Sequence, residues 1–102
     1  MAADWKTTLG SHKTIRGQAT QDGVAIDDMS GWTDPKIRLI TPSGEELLFD
    51  ATLSAEGVFS YLLKPDDYDE KGTYMVKFRA DSPTGQTHYF PEGKDAELFV
   101  DD

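Results

Sequence analysis

From Gly72 to Asp81 the chain reads Gly-Thr-Tyr-Met-Val-Lys-Phe-Arg-Ala-Asp. Tyr74, Val76, Phe78 and Ala80 fall on one side of this run; Met75, Lys77, Arg79 and Asp81 fall on the other. A two-residue period is that of an extended strand with one face buried and one largely wet. An acidic turn, Pro65 to Lys71, precedes the run, and a loop, Ser82-Pro83-Thr84-Gly85, follows it. A second aromatic run, Gln86 to Phe90, comes next. Thr73–Asp81 and Gln86–Phe90 are therefore expected to be neighbouring antiparallel strands, with the rest of the chain packed around them.

The remaining segments read the same way. Lys13–Thr20 is a first candidate strand, in which Gly17 marks a bulge or a close backbone approach. Gln21-Asp22-Gly23 is a turn of the Asp-Gly kind, and Val24–Ile26 is a short strand. Met29 is expected to tuck inward from a loop. Asp34-Pro35 resets the chain, because proline lacks the N–H that a central ladder needs. Lys36–Thr41 and Glu46–Ala51 form a hairpin around Pro42-Ser43-Gly44-Glu45, with Leu47 and Phe49 on one face. Val58–Leu63 carries Phe59, Tyr61 and Leu63 on its buried side. A single helical turn is expected at Asp66–Asp69, a turn at Pro91–Lys94, and a last strand at Ala96–Val100. Turn signals recur often enough to predict seven or eight short strands in a sandwich or barrel. No segment shows a convincing helical period.

One domain is expected from 102 residues. The aromatic fraction of 11% supplies large rings to a thin core. The chain has no cysteine, so its core must hold without disulfides. Nineteen acidic residues against ten basic give a net charge of −9. That balance argues against binding nucleic acid or an anionic membrane, both of which reward Lys and Arg. No apolar run approaches the length that spans a bilayer. Met1 to Lys6 does not resemble a secretory signal, and synthesis in the cytoplasm is expected.

Residues 1–12 carry little pattern, with Trp5 and Leu9 as their bulky apolar residues. They read as a frayed terminus or as an arm that orders on assembly, with Trp5 docking on a neighbouring subunit, since Trp is enriched at interface hot spots. Residues 13–102 form the domain proper. Trp5, Leu9 and Trp32 are the candidate partner-binding residues.

Reactive groups are sparse. Asp66, Asp67, Asp69 and Glu70 form the densest acidic cluster, yet their spacing is not that of a calcium loop. Asp27-Asp28 is a weaker cluster. His12 and His88 have no acidic neighbour at a catalytic or metal-binding spacing; His88, beside Tyr89 and Phe90, is expected to be partly buried and hydrogen-bonded. No serine lies in a Gly-x-Ser-x-Gly elbow, and there is no phosphate-cradling loop. No metal, cofactor or catalytic centre is expected. Trp32, Tyr61, Tyr74, Tyr89 and Phe90 would make a carbohydrate-stacking platform if several were exposed together, although aromatics at this period ordinarily face a core.

Several pieces recur in a familiar order. They are Asp22-Gly23-Val24-Ala25-Ile26-Asp27 with Ser30-Gly31; Thr41-Pro42-Ser43-Gly44; Phe49-Asp50-Ala51; and Glu56-Gly57-Val58-Phe59-Ser60-Tyr61. Asp66 through Gly72-Thr73-Tyr74, then Val76-Lys77-Phe78, and finally Thr87-His88-Tyr89-Phe90-Pro91 complete the set. From about Thr14 to Val100 the chain resembles small immunoglobulin-like modules of tailed-phage virions, such as the N-terminal domains of phage baseplate upper proteins. It departs from them at Met29 and in carrying no fibre or coiled-coil segment, which favours a stand-alone part. The resemblance implies an immunoglobulin-like antiparallel β-sandwich and a non-enzymatic structural role in the virion. Its partners would be other virion proteins of the head, neck or tail, met in many copies. The alternative expectation is an immunoglobulin-like module that binds a cell-surface glycan through Trp32 and neighbouring tyrosines.

Overall fold

A computed structural model describes residues 4–91, 93 and 95–102. Met1–Ala3 of the expected arm, and Glu92 and Lys94 of the expected turn, lie outside the described residues. The chain is all-β. Its strands are β1 (Trp5–Thr8), β2 (Lys13–Gln18), β3 (Thr20–Gln21), β4 (Val24–Ala25), β5 (Thr33–Ile40) and β6 (Glu46–Asp50). They continue with β7 (Thr52–Leu53), β8 (Val58–Leu63), β9 (Gly72–Asp81), β10 (Thr87–Phe90) and β11 (Ala96–Asp101). A 3-10 turn at Pro65–Asp67 stands close to where a helical turn is expected.

The alternating run became β9, the longest strand of a six-stranded sheet ordered β1-β11-β9-β5-β6. On one flank, β5 pairs with its Met75–Asp81 stretch. On the other, β11 pairs with Gly72–Val76 and β10 with Phe78–Asp81. Phe78 opposes both Ile37 and Phe90, so β10 and β11 share that flank end to end. Pro91, which has no N–H to offer a ladder, follows β10 where the pairing breaks. Lys77 spans the break: its Nζ donates to the Pro91 carbonyl at 2.8 Å and the Gly93 carbonyl at 2.9 Å, and lies 3.3 Å from Asp95.

A three-stranded sheet, β2-β8-β7, closes the other side of the core, and β3-β4 forms a small hairpin. Ile15, Phe59 and Leu63 from this sheet are fully buried with Ile37, Leu39, Tyr74, Val76 and Leu98 from the larger one. Each such side chain contributes roughly 1.5–3 kcal/mol by leaving water. Phe59 stacks on Phe78 at 5.0 Å and lies 5.6 Å from Phe90, joining the two layers. The architecture is compatible with the expected β-sandwich. Gly17 sits at a close approach of the two layers: a Cβ there would stand 2.8 Å from the Phe78 ring.

Three features differ from expectation. First, eleven strand segments are described where seven or eight are expected. The additional ones, such as β1 and β7, are too short to show a period. Second, the pairing is not wholly antiparallel, because β1 runs parallel to β11, with Trp5 opposite Leu98 and Thr8 opposite Asp101. Third, Asp34-Pro35 does not end a strand. It lies inside β5 as a bulge, where the register shifts between Thr33 and Lys36 and Asp34 takes a φ of 56°. The bulge removes that stretch from the ladder, which is how a strand tolerates proline.

Candidate protein-interaction surface

The segment expected to be a loose arm is stitched into its own chain from Asp4 onward. Asp4 N–H donates to the Glu97 carbonyl, and its carboxylate accepts from Glu97 N–H at 2.9 Å. Leu9 N–H donates to the Asp101 carbonyl at 2.7 Å. The Tyr68 hydroxyl reaches the Thr8 and Ser11 carbonyls, tying down the link between β1 and β2. Trp5 and Leu9 are half-buried and pack against the chain's own core.

Trp32 immediately precedes β5 and meets His88 edge-on at 5.2 Å and Phe90 at 6.1 Å. Trp5 lines a hollow of about 160 Å³ with Phe78, Phe90 and Pro91. Trp5 and Trp32, from different ends of the chain, therefore both border Phe90, whereas Leu9 lies at the far end of β1 beside Asp101. His88 is half-buried in this aromatic group, as expected, and its ring packs on Trp32 and Phe90.

Of the five aromatics of a carbohydrate platform, Trp32 and Phe90 meet, but the set does not gather on one exposed patch. Tyr74 and Phe90 belong to the core. Tyr61 stacks on Phe49 at 5.2 Å, with Lys64 Nζ 4.9 Å from its centroid. Tyr61 does border a hollow of about 280 Å³ with Thr14, Asp50, Thr52, Ser60 and Leu62.

The acidic turn serves the fold. Asp67 accepts from the Tyr61 hydroxyl at 2.7 Å and from Lys64 N–H at 2.9 Å, and lies 3.3 Å from Lys64 Nζ. Burial pushes its carboxyl up, but these donors outweigh burial and hold it below the ordinary value of 3.8. Burial and the Asp67 carboxylate push the Tyr61 phenol up in turn. Glu70 accepts from Ser43 at 2.9 Å. Asp66 and Asp69 border an open hollow of about 430 Å³ that also touches Glu45 and Asp67. Among the described residues, no group of three or more His, Asp or Glu is placed to hold a metal ion.

Sequence reasoning missed a surface that only register assembles. Strand parity puts Lys36, Arg38 and Ile40 of β5 on the outer side of the large sheet, with Met75, Lys77 and Arg79 of β9. Leu48 of β6 opposes Arg38, and Tyr89 of β10 opposes Arg79. Lys36 pairs with Asp50, and also with Asp34 at 3.5 Å. The Asp50 carboxylate raises the Lys36 ammonium above its ordinary value against the opposing pull of burial. The Arg38 guanidinium stands 5.2 Å from the Tyr89 ring centroid. Each strand's alternation was visible in the sequence, but which cations stand side by side was not.

The large sheet sets Arg38 and Arg79 beside Leu48 and Tyr89 on its outer side. What results is a rigid sheet whose wet face mixes arginine, aromatic and aliphatic side chains. Comparison of the chain with protein-family models, with curated proteins and with solved structures gave no match.

Proposed function

We propose that this chain is a non-enzymatic, immunoglobulin-like structural component of a phage virion, made in the host cytoplasm. It acts through contacts with head, neck or tail proteins in many copies. The observation that carries the reading is the mixed outer face of the large sheet, held rigid by a two-layer core. Arginine, tyrosine and aliphatic side chains on a firm support are what protein interfaces use.

Two features support the immunoglobulin-like form. The first strand runs parallel to the last at one edge while the other pairs are antiparallel. At the entry to β9 the Tyr74 hydroxyl donates to the Glu70 carbonyl at 2.8 Å, four residues upstream. Immunoglobulin-type sandwiches use a tyrosine in this way at the corner leading into the equivalent strand. The phage assignment itself rests on the resemblance from Thr14 to Val100. The glycan-binding alternative has less support, because Tyr74 and Phe90 are core residues.

Mass spectrometry and cryo-electron microscopy of purified particles test the proposal. The chain is expected at a fixed copy number that follows the particle's symmetry. Its absence from washed particles, with the protein recovered only in the soluble fraction, would overturn the reading.

A further inference from the structure

The flank of β9 that carries β10 and β11 is covered unevenly. β1 lies along the outer edge of β11 and begins at Trp5, with Asp4 N–H on the Glu97 carbonyl. β10 pairs with β9 alone, so its second edge has no strand partner among the described residues. Which groups stand on that edge follows from the register. The Gln86 carbonyl accepts from Ser82 N–H, toward the β9 side. Alternation along an antiparallel pair then turns the backbone groups of His88 and Phe90 toward β9. Thr87 and Tyr89 therefore point their N–H and C=O groups to the open edge.

Where this edge meets the start of β1, the core has a gap. The hollow beside Trp5 is lined also by Phe78, Phe90, Pro91 and Ala96. Its 160 Å³ is close to that of a cavity that takes one benzene ring, about 150 Å³. A strand laid against β10 sets the residue beside Phe90 on the inner side of the sheet, because paired residues share a face. That residue is aimed at the hollow. The next inward residue stands beside His88, whose ring packs on Trp32. Asp4, itself exposed, is the one charged side chain among the described residues lining the hollow.

We infer that the open edge of β10 accepts an extended segment of a second, different protein as an added strand. One large apolar side chain of that segment fills the hollow, and basic residues flank it. Main-chain bonds to Thr87 and Tyr89 supply affinity, and the hollow supplies selectivity. A second copy fits poorly. Two β10 edges paired about a two-fold axis through Thr87 and Tyr89 set Thr84, Gln86 or His88 of the copy beside Phe90. All three are polar, and the hollow is apolar. The net charge of −9 also drives copies apart and favours a basic segment. The inference deepens the proposed role in protein contacts and rests on it.

The test is an NMR titration of the isotope-labelled chain with the acetylated, amidated peptide Lys-Val-Thr-Phe-Thr-Val-Lys. Two further peptides carry Asn for Phe, or Glu for both Lys, and each should bind more weakly. Amide shifts centred on β10, Trp5 and Ala96 are expected with the first peptide. With that peptide at about ten times its Kd, exchange of the Thr87 and Tyr89 amides should slow about tenfold as they become paired. Ala96→Leu fills the hollow from within and should weaken binding at least about tenfold, the order of one buried apolar side chain. Thr87→Pro removes an outward N–H that β9 does not use, which an edge strand tolerates. It should weaken binding about fivefold, one net hydrogen bond. Leu62→Ser, on the other sheet, should bind as wild type does. Thermal melts verify folding, and where one hollow or edge variant fails to fold the other decides. No shifts at millimolar peptide, or Thr87 and Tyr89 amides already protected in the free chain, would overturn the inference. So would equal binding of the Asn or Glu peptide, full binding by Ala96→Leu or Thr87→Pro, or sedimentation showing that the chain dimerises through this edge. Particle occupancy separates the two levels of argument. A wild-type chain missing from particles removes the proposed function, whereas equal occupancy of wild type, Ala96→Leu and Thr87→Pro removes only the docking edge.

Discussion

Tyr68→Phe tests whether the first twelve residues belong to the domain. The ring is only 4% exposed, so phenylalanine keeps the packing, including the edge-on contact with Tyr74 at 6.4 Å. What is lost is a hydroxyl placed between the Thr8 and Ser11 carbonyls. A hydroxyl has one proton, so the two contacts count as one shared bond. The expected loss is about 1 kcal/mol, within the range for a net intramolecular hydrogen bond. Water can reach the freed carbonyls, because Thr8 and Ser11 are exposed, which keeps the figure from rising further.

For a domain near 100 residues, about 1 kcal/mol lowers Tm by about 4–8 °C. The same loss should speed hydrogen exchange of the Leu9 amide, which donates to the Asp101 carbonyl, by about fivefold. Urea melts and native-state exchange read both quantities. An unchanged midpoint, together with a Leu9 amide that exchanges in the variant as in wild type, would refute the idea that Tyr68 straps β1 to the body. Deletion of residues 1–11 is accordingly expected to destabilise the fold, since it strips β11 of its edge partner.

Gly57→Ala should destabilise by about 2–4 kcal/mol, from left-handed backbone strain plus overpacking. Its φ is +87°, and a Cβ would stand 2.0 Å from the Ile26 carbonyl oxygen and 2.8 Å from Gln18 Nε2; a variant melting like wild type would contradict this. Asp67 is held below 3.8 in the fold, so its contribution is complete above about pH 5 and is lost as pH falls through its folded value. Asp67→Asn should therefore be less stable than wild type near neutrality, with the gap closing below that value; parallel pH–stability curves would count against the assignment.

Much of the fold was legible locally. Val58–Leu63 is found with the bounds read from its pattern, and β9 begins one residue earlier than expected. Phe59 and Leu63 are buried on the chosen side, and Met29 is tucked inward at 2% exposure. Gly17 marks a close approach, as its place within a strand suggested. These succeed because side-chain parity is a property of consecutive residues and survives whatever the strand pairs with. The bulge at Asp34-Pro35 was not legible, because the local rule against proline says nothing of a neighbouring strand that can accept an extra residue.

Alternation along single strands required an all-β chain with a ring-rich interior, and the charge balance set an acidic exterior. Long-range pairing decided the rest. β1 is a strand because β11 offers it an edge and Tyr68 anchors its exit, neither of which is near in sequence. Lys36, Arg38, Lys77 and Arg79 become one surface because the register of β5 against β9 sets residues some forty positions apart side by side. Such contacts depend on which chain segments meet, and that is a choice made by the whole core at once.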